Sequence, residues 1–243
     1  MTEPIHILSL GAGVQSTTLG MMASYGEIES KPEAGIFADT KAEPESVYRQ
    51  LNWLCGVEVR QRDDGRLYVD TGYYSGGALA FPLHIATAGD LEKDALRVRV
   101  KKDGKGSWVP SGVPHYSINA DGSRGHGPRQ CTHAFKLIPI KGEQRRLVGA
   151  DRMREWRKKH KLALRELSLF EKELTIWKRR KKAGEDVDVP PMKPYAPWAE
   201  CQSDPLSVAW IGISADEPGR VKDSRAPWIK NYYPRFERGI TRN

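Results

Sequence analysis

The sequence predicts an α/β protein: a parallel sheet sandwiched by helices, with a long basic helical insertion. Three observations lead there. Apolar, strand-like runs alternate with helical patterns at the start of the chain, the arrangement that builds parallel sheets with right-handed crossovers. Small residues and then hydroxyls fill the first strand-to-helix junction. The positive charge is confined to one stretch. Between Asp151 and Lys182, thirteen Lys or Arg stand against five Asp or Glu, which accounts for the whole net charge of +8, because the other 26 basic residues meet 26 acidic ones.

The elements follow in order. A strand over 5–10 leads to a helix near 14–25, and Gly11-Ala12-Gly13-Val14-Gln15-Ser16-Thr17 lies across the junction. Small residues let the backbone approach a ligand, and a helix N-terminus offers free N–H donors and partial positive charge. With the hydroxyls as further donors, the combination suits a phosphate or pyrophosphate. A second strand over 34–39 feeds a helix near 43–54, and short strands over 57–61 and 66–70 flank Asp64-Gly65 as a hairpin. Residues 76–97 read as another helix, and 101–130, rich in Gly, Ser, Pro, Lys and Asp, as a long surface loop.

Residues 131–182 read as largely helical, a long helix or helical pair with Asp151 as an N-cap and an irregular apolar stripe from Met153 to Trp177. Ala183-Gly184 ends it, and prolines at 190, 191, 194 and 197 form a connector. The last strand, 208–214, runs into a polar turn, and ligands of open parallel sheets bind at that edge. The chain thus divides into a core over 1–150, a basic insertion with its connector over 151–200, and a final strand with a charged motif over 201–243.

Composition excludes several classes. No run of about 18 apolar residues occurs, so no membrane partner is expected. The N-terminus lacks the basic-then-apolar layout of a signal peptide. Three widely spaced cysteines, Cys55, Cys131 and Cys201, contain no C-x-x-C pair, which argues against a disulfide framework and the common zinc patterns and fits a reducing cytoplasm. The six histidines show no metal-ligand spacing, and no metal ligand is assigned. Trp156 and Trp177 among the basic residues of 151–182 suit a nucleic acid held by phosphate contacts and stacking. The same charge suits an acidic protein or a plain solvated helix.

Four segments carry a family resemblance. Gly11-Ala12-Gly13-Val14-Gln15-Ser16, preceded by Ser9-Leu10, resembles the S-G-G-x-D-S pyrophosphate loop of the adenine nucleotide alpha hydrolase-like (PP-loop) superfamily. Gly13 and Ser16 match; Gly11 replaces the first Ser, Ala12 the first Gly and Gln15 the Asp. Phe37-Ala38-Asp39-Thr40-Lys41-Ala42-Glu43 resembles the second-strand end of phosphoadenosine phosphosulfate (PAPS) reductase-like proteins. Arg129-Gln130-Cys131-Thr132-His133-Ala134-Phe135-Lys136-Leu137-Ile138-Pro139-Ile140 resembles the R-x-C-T-x-x-x-K-x-x-P-[IV] segment of the phage-type branch. Trp210-Ile211-Gly212-Ile213-Ser214-Ala215-Asp216-Glu217-Pro218-Gly219-Arg220 resembles its W-I-G-I-S-x-D-E-x-x-R signature.

The resemblance implies a HUP-like sheet and an enzyme that binds an adenine nucleotide, ATP or PAPS, with Mg²⁺. In such enzymes an acceptor attacks the α-phosphate of ATP and pyrophosphate leaves. It places pyrophosphate at Ser9, Gly11, Ala12, Gly13, Gln15, Ser16 and Thr17, and adenosine at Asp39 and Thr40. Arg129, Lys136 and Arg220 neutralise transferred charge, Cys131 and Thr132 sit at a helix start where a thiolate is stabilised, and Asp216 and Glu217 hold Mg²⁺ or orient the acceptor. Local ion pairing is the plain alternative for that last cluster. A base in DNA or RNA is one acceptor that the basic insertion suits. The branch also implies a viral source and hence a host cytoplasm. Two other functions stay open: a PAPS reductase, although no cysteine follows Cys201 to serve as its C-terminal nucleophile, and a non-catalytic nucleotide- or nucleic-acid-binding module.

Overall fold

The structure is a computed structural model, which describes residues 3–96, 99–100, 107–108, 116–118, 121–126, 132–187 and 189–241. Strand β1 (Ile5–Leu10) enters helix α1 (Val14–Ser24), and β2 (Ala34–Ala38) enters α2 (Glu45–Cys55). Then come β3 (Val59–Gln61), β4 (Leu67–Val69), β5 (Gly72–Tyr74), β6 (Leu83–Ala86) and α3 (Leu91–Leu96). The short strands β7 (Arg99–Val100), β8 (Ser107–Trp108), β9 (Tyr116–Ile118) and β10 (Arg124–His126) precede a π-helical turn, Thr132–Leu137. Helices α4 (Ile138–Val148), α5 (Ala150–Lys159), α6 (Lys161–Lys182) and α7 (Tyr195–Ser203) lead to β11 (Ser207–Trp210), and a 3₁₀ turn (Pro218–Arg220), β12 (Ile229–Tyr232) and α8 (Pro234–Glu237) complete the chain.

Six strands form one mixed sheet in the order β12-β11-β1-β2-β6-β5. β1 pairs with β2 and β2 with β6 in parallel, in the registers Leu8 to Gly35 and Gly35 to Leu83. The sequence predicted a wholly parallel sheet, but β5 runs antiparallel to β6. β2 is buried along its whole length, as the continuous Ala-Gly-Ile-Phe-Ala run of a central strand requires. α2 buries Tyr48, Leu51, Leu54 and Cys55, so that each helical turn after Tyr48 returns an apolar residue three or four positions on.

The chain forms two compact units. The larger comprises His6–Gln144, Trp210–Val221 and Tyr233–Asn243. Ile7, Leu8, Leu10, Ile36, Phe37 and Leu83 are almost inaccessible in it, and each such side chain contributes roughly 1.5–3 kcal/mol of apolar burial. Trp210 is fully buried, and its Nε1 donates to His6 Nδ1 at 3.0 Å, which fixes where the chain leaves β11. The smaller unit comprises Met1–Ile5, Arg145–Ala209 and Lys222–Tyr232. Its core includes Met153, Trp156, Leu167, Trp198, Cys201 and Trp228, and it holds the basic helices α5 and α6.

Several expected elements take another form. In the predicted helix 76–97, residues 83–86 form β6 and only Leu91–Leu96 is helical, because Pro82 interrupts a helix while Leu-His-Ile-Ala extends the sheet beside β2. The predicted loop 101–130 contains the hairpin β9–β10, turned at Asp121-Gly122, where Asp121 Oδ1 accepts from Ser123 N at 2.9 Å. This Asp-Gly turn signal resembles the one correctly read at Asp64-Gly65, which joins β3 and β4. α5 begins after Gly149, so Asp151 lies in its first turn and is not its N-cap, and the basic segment is a pair of helices broken at His160. The strand expected over 208–214 stops at Trp210, because Ile213 N turns back to Ile211 C=O at 2.9 Å and leaves the ladder.

Candidate functional site

At the carboxyl end of β1, the larger unit holds a cavity of about 580 Å³. One wall is Ser9 with the loop and first turn of α1, contributing Gly11, Gly13, Val14, Gln15 and Ser16; the facing wall is Ile211-Gly212-Ile213, with Arg220 and Arg235. Ser16 locks the turn: its Oγ accepts from Gly11 N at 3.1 Å and donates to Gly13 C=O at 3.2 Å. Ala12 sits at φ +51°, a left-handed conformation that glycine adopts without strain. No side chain caps α1, which leaves first-turn N–H groups available to an anion.

The two walls meet closely. A Cβ at Gly212 would stand 2.8 Å from Gln15 C and Ser16 N and 2.9 Å from Gln15 O, all backbone atoms. Gln15 Nε2 donates to Ser214 Oγ at 2.7 Å and to Glu217 Oε2 at 2.6 Å. Glu217 Oε1 in turn accepts from Arg220 at 2.7 Å. Glutamine at this position has a physical reason. A neutral amide at position 15 satisfies the Glu217 carboxylate, whereas a carboxylate there would repel it.

Electrostatics set this cavity apart. Arg220 and Arg235 line it, and no described carboxylate does; the α1 N-terminus adds to the same sign. A second cavity, of about 600 Å³, balances Lys41, Arg62 and Lys93 against Asp63, Asp64 and Asp90. In the smaller unit, a cavity of about 350 Å³ balances Lys193 and Arg225 against Glu171 and Asp223. Only the first has a one-sided lining.

Of the residues assigned from sequence, Ser9, Gly11, Gly13, Gln15, Ser16 and Arg220 line this cavity. Ala12 is buried in the turn, and Thr17 Oγ1 accepts from Gln50 Nε2 at 2.7 Å. Glu217 stands behind Gln15 and Arg220, and Asp216 is not among the lining residues. Asp39 and Thr40 are buried away from the cavity lining: Asp39 Oδ1 accepts from Lys41 N at 2.8 Å and Tyr48 OH at 2.9 Å, and Thr40 donates to Glu43 at 2.9 Å. Lys136 pairs with the same Glu43 at 2.7 Å and does not line the cavity either. Thr132 opens the π-helical turn; Arg129 and Cys131 lie outside the described residues. Arg235, buried and on the cavity wall, was not singled out in the sequence.

The donor set does not fit a protein-held Mg²⁺. Both Glu217 oxygens are engaged by Gln15 and Arg220, and no described group of three His, Cys, Asp or Glu gathers where an ion could sit.

Two titrations follow from burial. Desolvation raises the Asp39 carboxyl above its usual 3.8, against the lowering effect of its hydrogen bonds from Lys41, Tyr48 and Val69. A raised folded-state pKa means the associated stability is complete below about pH 4 and is lost as pH rises through the folded value. Urea unfolding of Asp39→Asn is therefore expected to show less loss of stability from pH 4 upward than the wild type; parallel profiles would contradict this. Burial also pushes the thiols of Cys55 and Cys201 up to about 11. At neutral pH a thiol reagent is expected to leave both unmodified until the protein unfolds, with mass spectrometry reporting the labelled positions. Native labelling of either would contradict it.

Among the described residues no helix is long and apolar enough to cross a membrane. No family model, curated protein or solved structure matches the chain.

Proposed function

We propose that the chain is a nucleotide-binding enzyme of the PP-loop type that uses ATP to activate an acceptor. The supporting observation is the single cavity onto which the Gly11–Ser16 turn, the Ile211–Ile213 strand end and Arg220 all open, with positive charge and no described carboxylate on its lining. A phosphate chain fits that lining: the first-turn N–H groups of α1 and the Ser16 hydroxyl lie on one side, a guanidinium on the other.

In this reading an acceptor oxygen attacks the α-phosphorus, the bond from that phosphorus to the bridging oxygen breaks, and pyrophosphate leaves from an adenylylated acceptor. Positioning and charge neutralisation supply the acceleration. The turn holds the departing pyrophosphate, and Arg220 neutralises charge on it. Glu217 orients Arg220 and is itself held by Gln15. Arg129 and Cys131 keep the roles that the family resemblance implies, whereas Lys136, paired with Glu43, is not assigned one at this cavity. A nucleic-acid base is the proposed acceptor, with the basic helices α5 and α6 attracting its backbone.

Sulfonucleotide reduction needs an attacking thiolate; Cys55 and Cys201 are buried, with thiols pushed up to about 11, so that second reading would fall to Cys131, which lies outside the described residues. The test is pyrophosphate release from α- and γ-labelled ATP in single-turnover mixtures with DNA and RNA. Acceptor-dependent release with a labelled adenylylated product is expected. ATP binding without release from any mixture would favour the non-catalytic module.

A further inference from the structure

We infer that the smaller unit binds single-stranded nucleic acid, with phosphates along one face of α6 and one base seated in the cavity beside that face. The inference rests on the nucleic-acid part of the reading above and goes beyond it, by assigning a second site and the strand state it selects. On α6, Lys161, Arg165, Lys172, Arg179 and Lys182 follow one another at steps of three, four or seven residues, with Ser168 and Thr175 in the intervening positions. Such steps return to one side of an α-helix. All seven residues are exposed, and the row runs for about 30 Å. In this unit Asp151, Glu155, Asp204 and Glu185 take up Arg154, Lys158, Lys159 and Arg180. The five cations of the row make no salt bridge among the described residues. A row of exposed cations without carboxylate partners matches a phosphate backbone.

The cavity of about 350 Å³ adjoins the middle of this row: Ser168 belongs to both, and Leu164, Leu167, Phe170 and Glu171 of the same helix line it. Trp198 and Pro227 extend its apolar lining, and Lys193, Arg225 and Asp223 add charge. Lys193 Nζ lies 3.2 Å from the centroid of the Trp198 ring. Neither Lys193 nor Arg225, Glu171 or Asp223 is held in a salt bridge among the described residues. Each part of the lining has a counterpart in one nucleotide. Apolar surface takes the faces of a base, a carboxylate accepts from its exocyclic amino group, and the cations meet the phosphates beside it. A duplex cannot use such a cavity, because its bases are stacked inside and show only their edges.

The experiment measures, by fluorescence anisotropy, how the protein binds three labelled probes of equal length. They are a mixed-sequence single-stranded oligodeoxynucleotide, the same strand in a duplex, and an abasic strand that keeps sugars and phosphates without bases. The single strand is expected to bind more tightly than either of the others by at least roughly 10-fold. Arg165→Glu with Lys172→Glu should weaken the single strand at least roughly 10-fold and flatten its salt dependence. Ser168→Trp places a bulky ring at the exposed residue shared by row and cavity. It should bring the single strand down to the affinity of the abasic strand and leave the salt dependence unchanged. Equal wild-type affinity for the single strand and either other probe overturns the inference. So does full displacement of the single strand by poly-glutamate at equal charge, which would mark the face as one for an acidic protein. These comparisons are made on the wild type, so misfolding of a variant cannot obscure the answer. ATP binding by the wild type is measured separately. ATP bound without strand preference overturns this inference alone, whereas strand preference without ATP binding upholds it while the Gly11–Ser16 reading falls.

Discussion

Replacing Gly212 with alanine is expected to cost about 3 kcal/mol of stability and, under the proposed function, to reduce ATP turnover roughly 100-fold. The added methyl would stand 2.8 Å from the backbone of Gln15 and Ser16, and backbone at the start of a helix cannot swing aside as a side-chain end can. Either Ile211–Ile213 moves outward or the first turn of α1 shifts, and both displace the cavity walls. Urea unfolding and ATP turnover measured on the same preparation check the two effects. Wild-type stability and turnover in Gly212→Ala would show that the walls do not meet as described. Gly219→Ala is the control, since nothing lies within 4 Å of the position a Cβ would take there.

The second large effect is electrostatic. Gln15→Glu keeps the shape of the side chain but sets a carboxylate 2.6 Å from Glu217, whose side chain is only 18% exposed. Like charges this close raise the pair's folded-state pKa values. At neutral pH the penalty is expected to be about 2–3 kcal/mol. Because the folded values are raised, stability should be near wild type in acid and fall as pH rises. The exchange Gln15→Glu with Glu217→Gln restores one amide and one carboxylate and should recover most of the loss, a coupling that denaturant unfolding of the four proteins measures. A single variant as stable as wild type at neutral pH would contradict the contact between the two side chains.

Much of the fold is legible in the sequence where a signal is local. The β1–α1 junction, β2, α2 and the Asp64-Gly65 hairpin all carry their own periodicity or turn residues. Signals that depend on partners are harder to read. β6 is four residues long and is a strand because β2 offers it an edge, and β11 ends at Trp210 because Gly212 must pass the Gln15 backbone. The site shows the same division. Gly11, Gly13 and Ser16 are recognisable from their spacing, and the Asp216–Arg220 turn from its charge. Asp39 resembles a ligand contact by its place after β2, but its oxygens are taken up by Lys41, Tyr48 and Val69. Arg235 was not recognisable for the opposite reason: no motif position falls on it, and only its burial beside the cavity distinguishes it.

The decisive measurement is a crystal structure of the protein with a non-hydrolysable ATP analogue and Mg²⁺. The β- and γ-phosphates are expected between the Gly11–Ser16 turn and the guanidinium group of Arg220, with the α-phosphorus open to solvent. Phosphates seated elsewhere, for instance beside Lys41 and Arg62, would contradict the account and return the Gly11–Ser16 turn to an ordinary strand-to-helix junction.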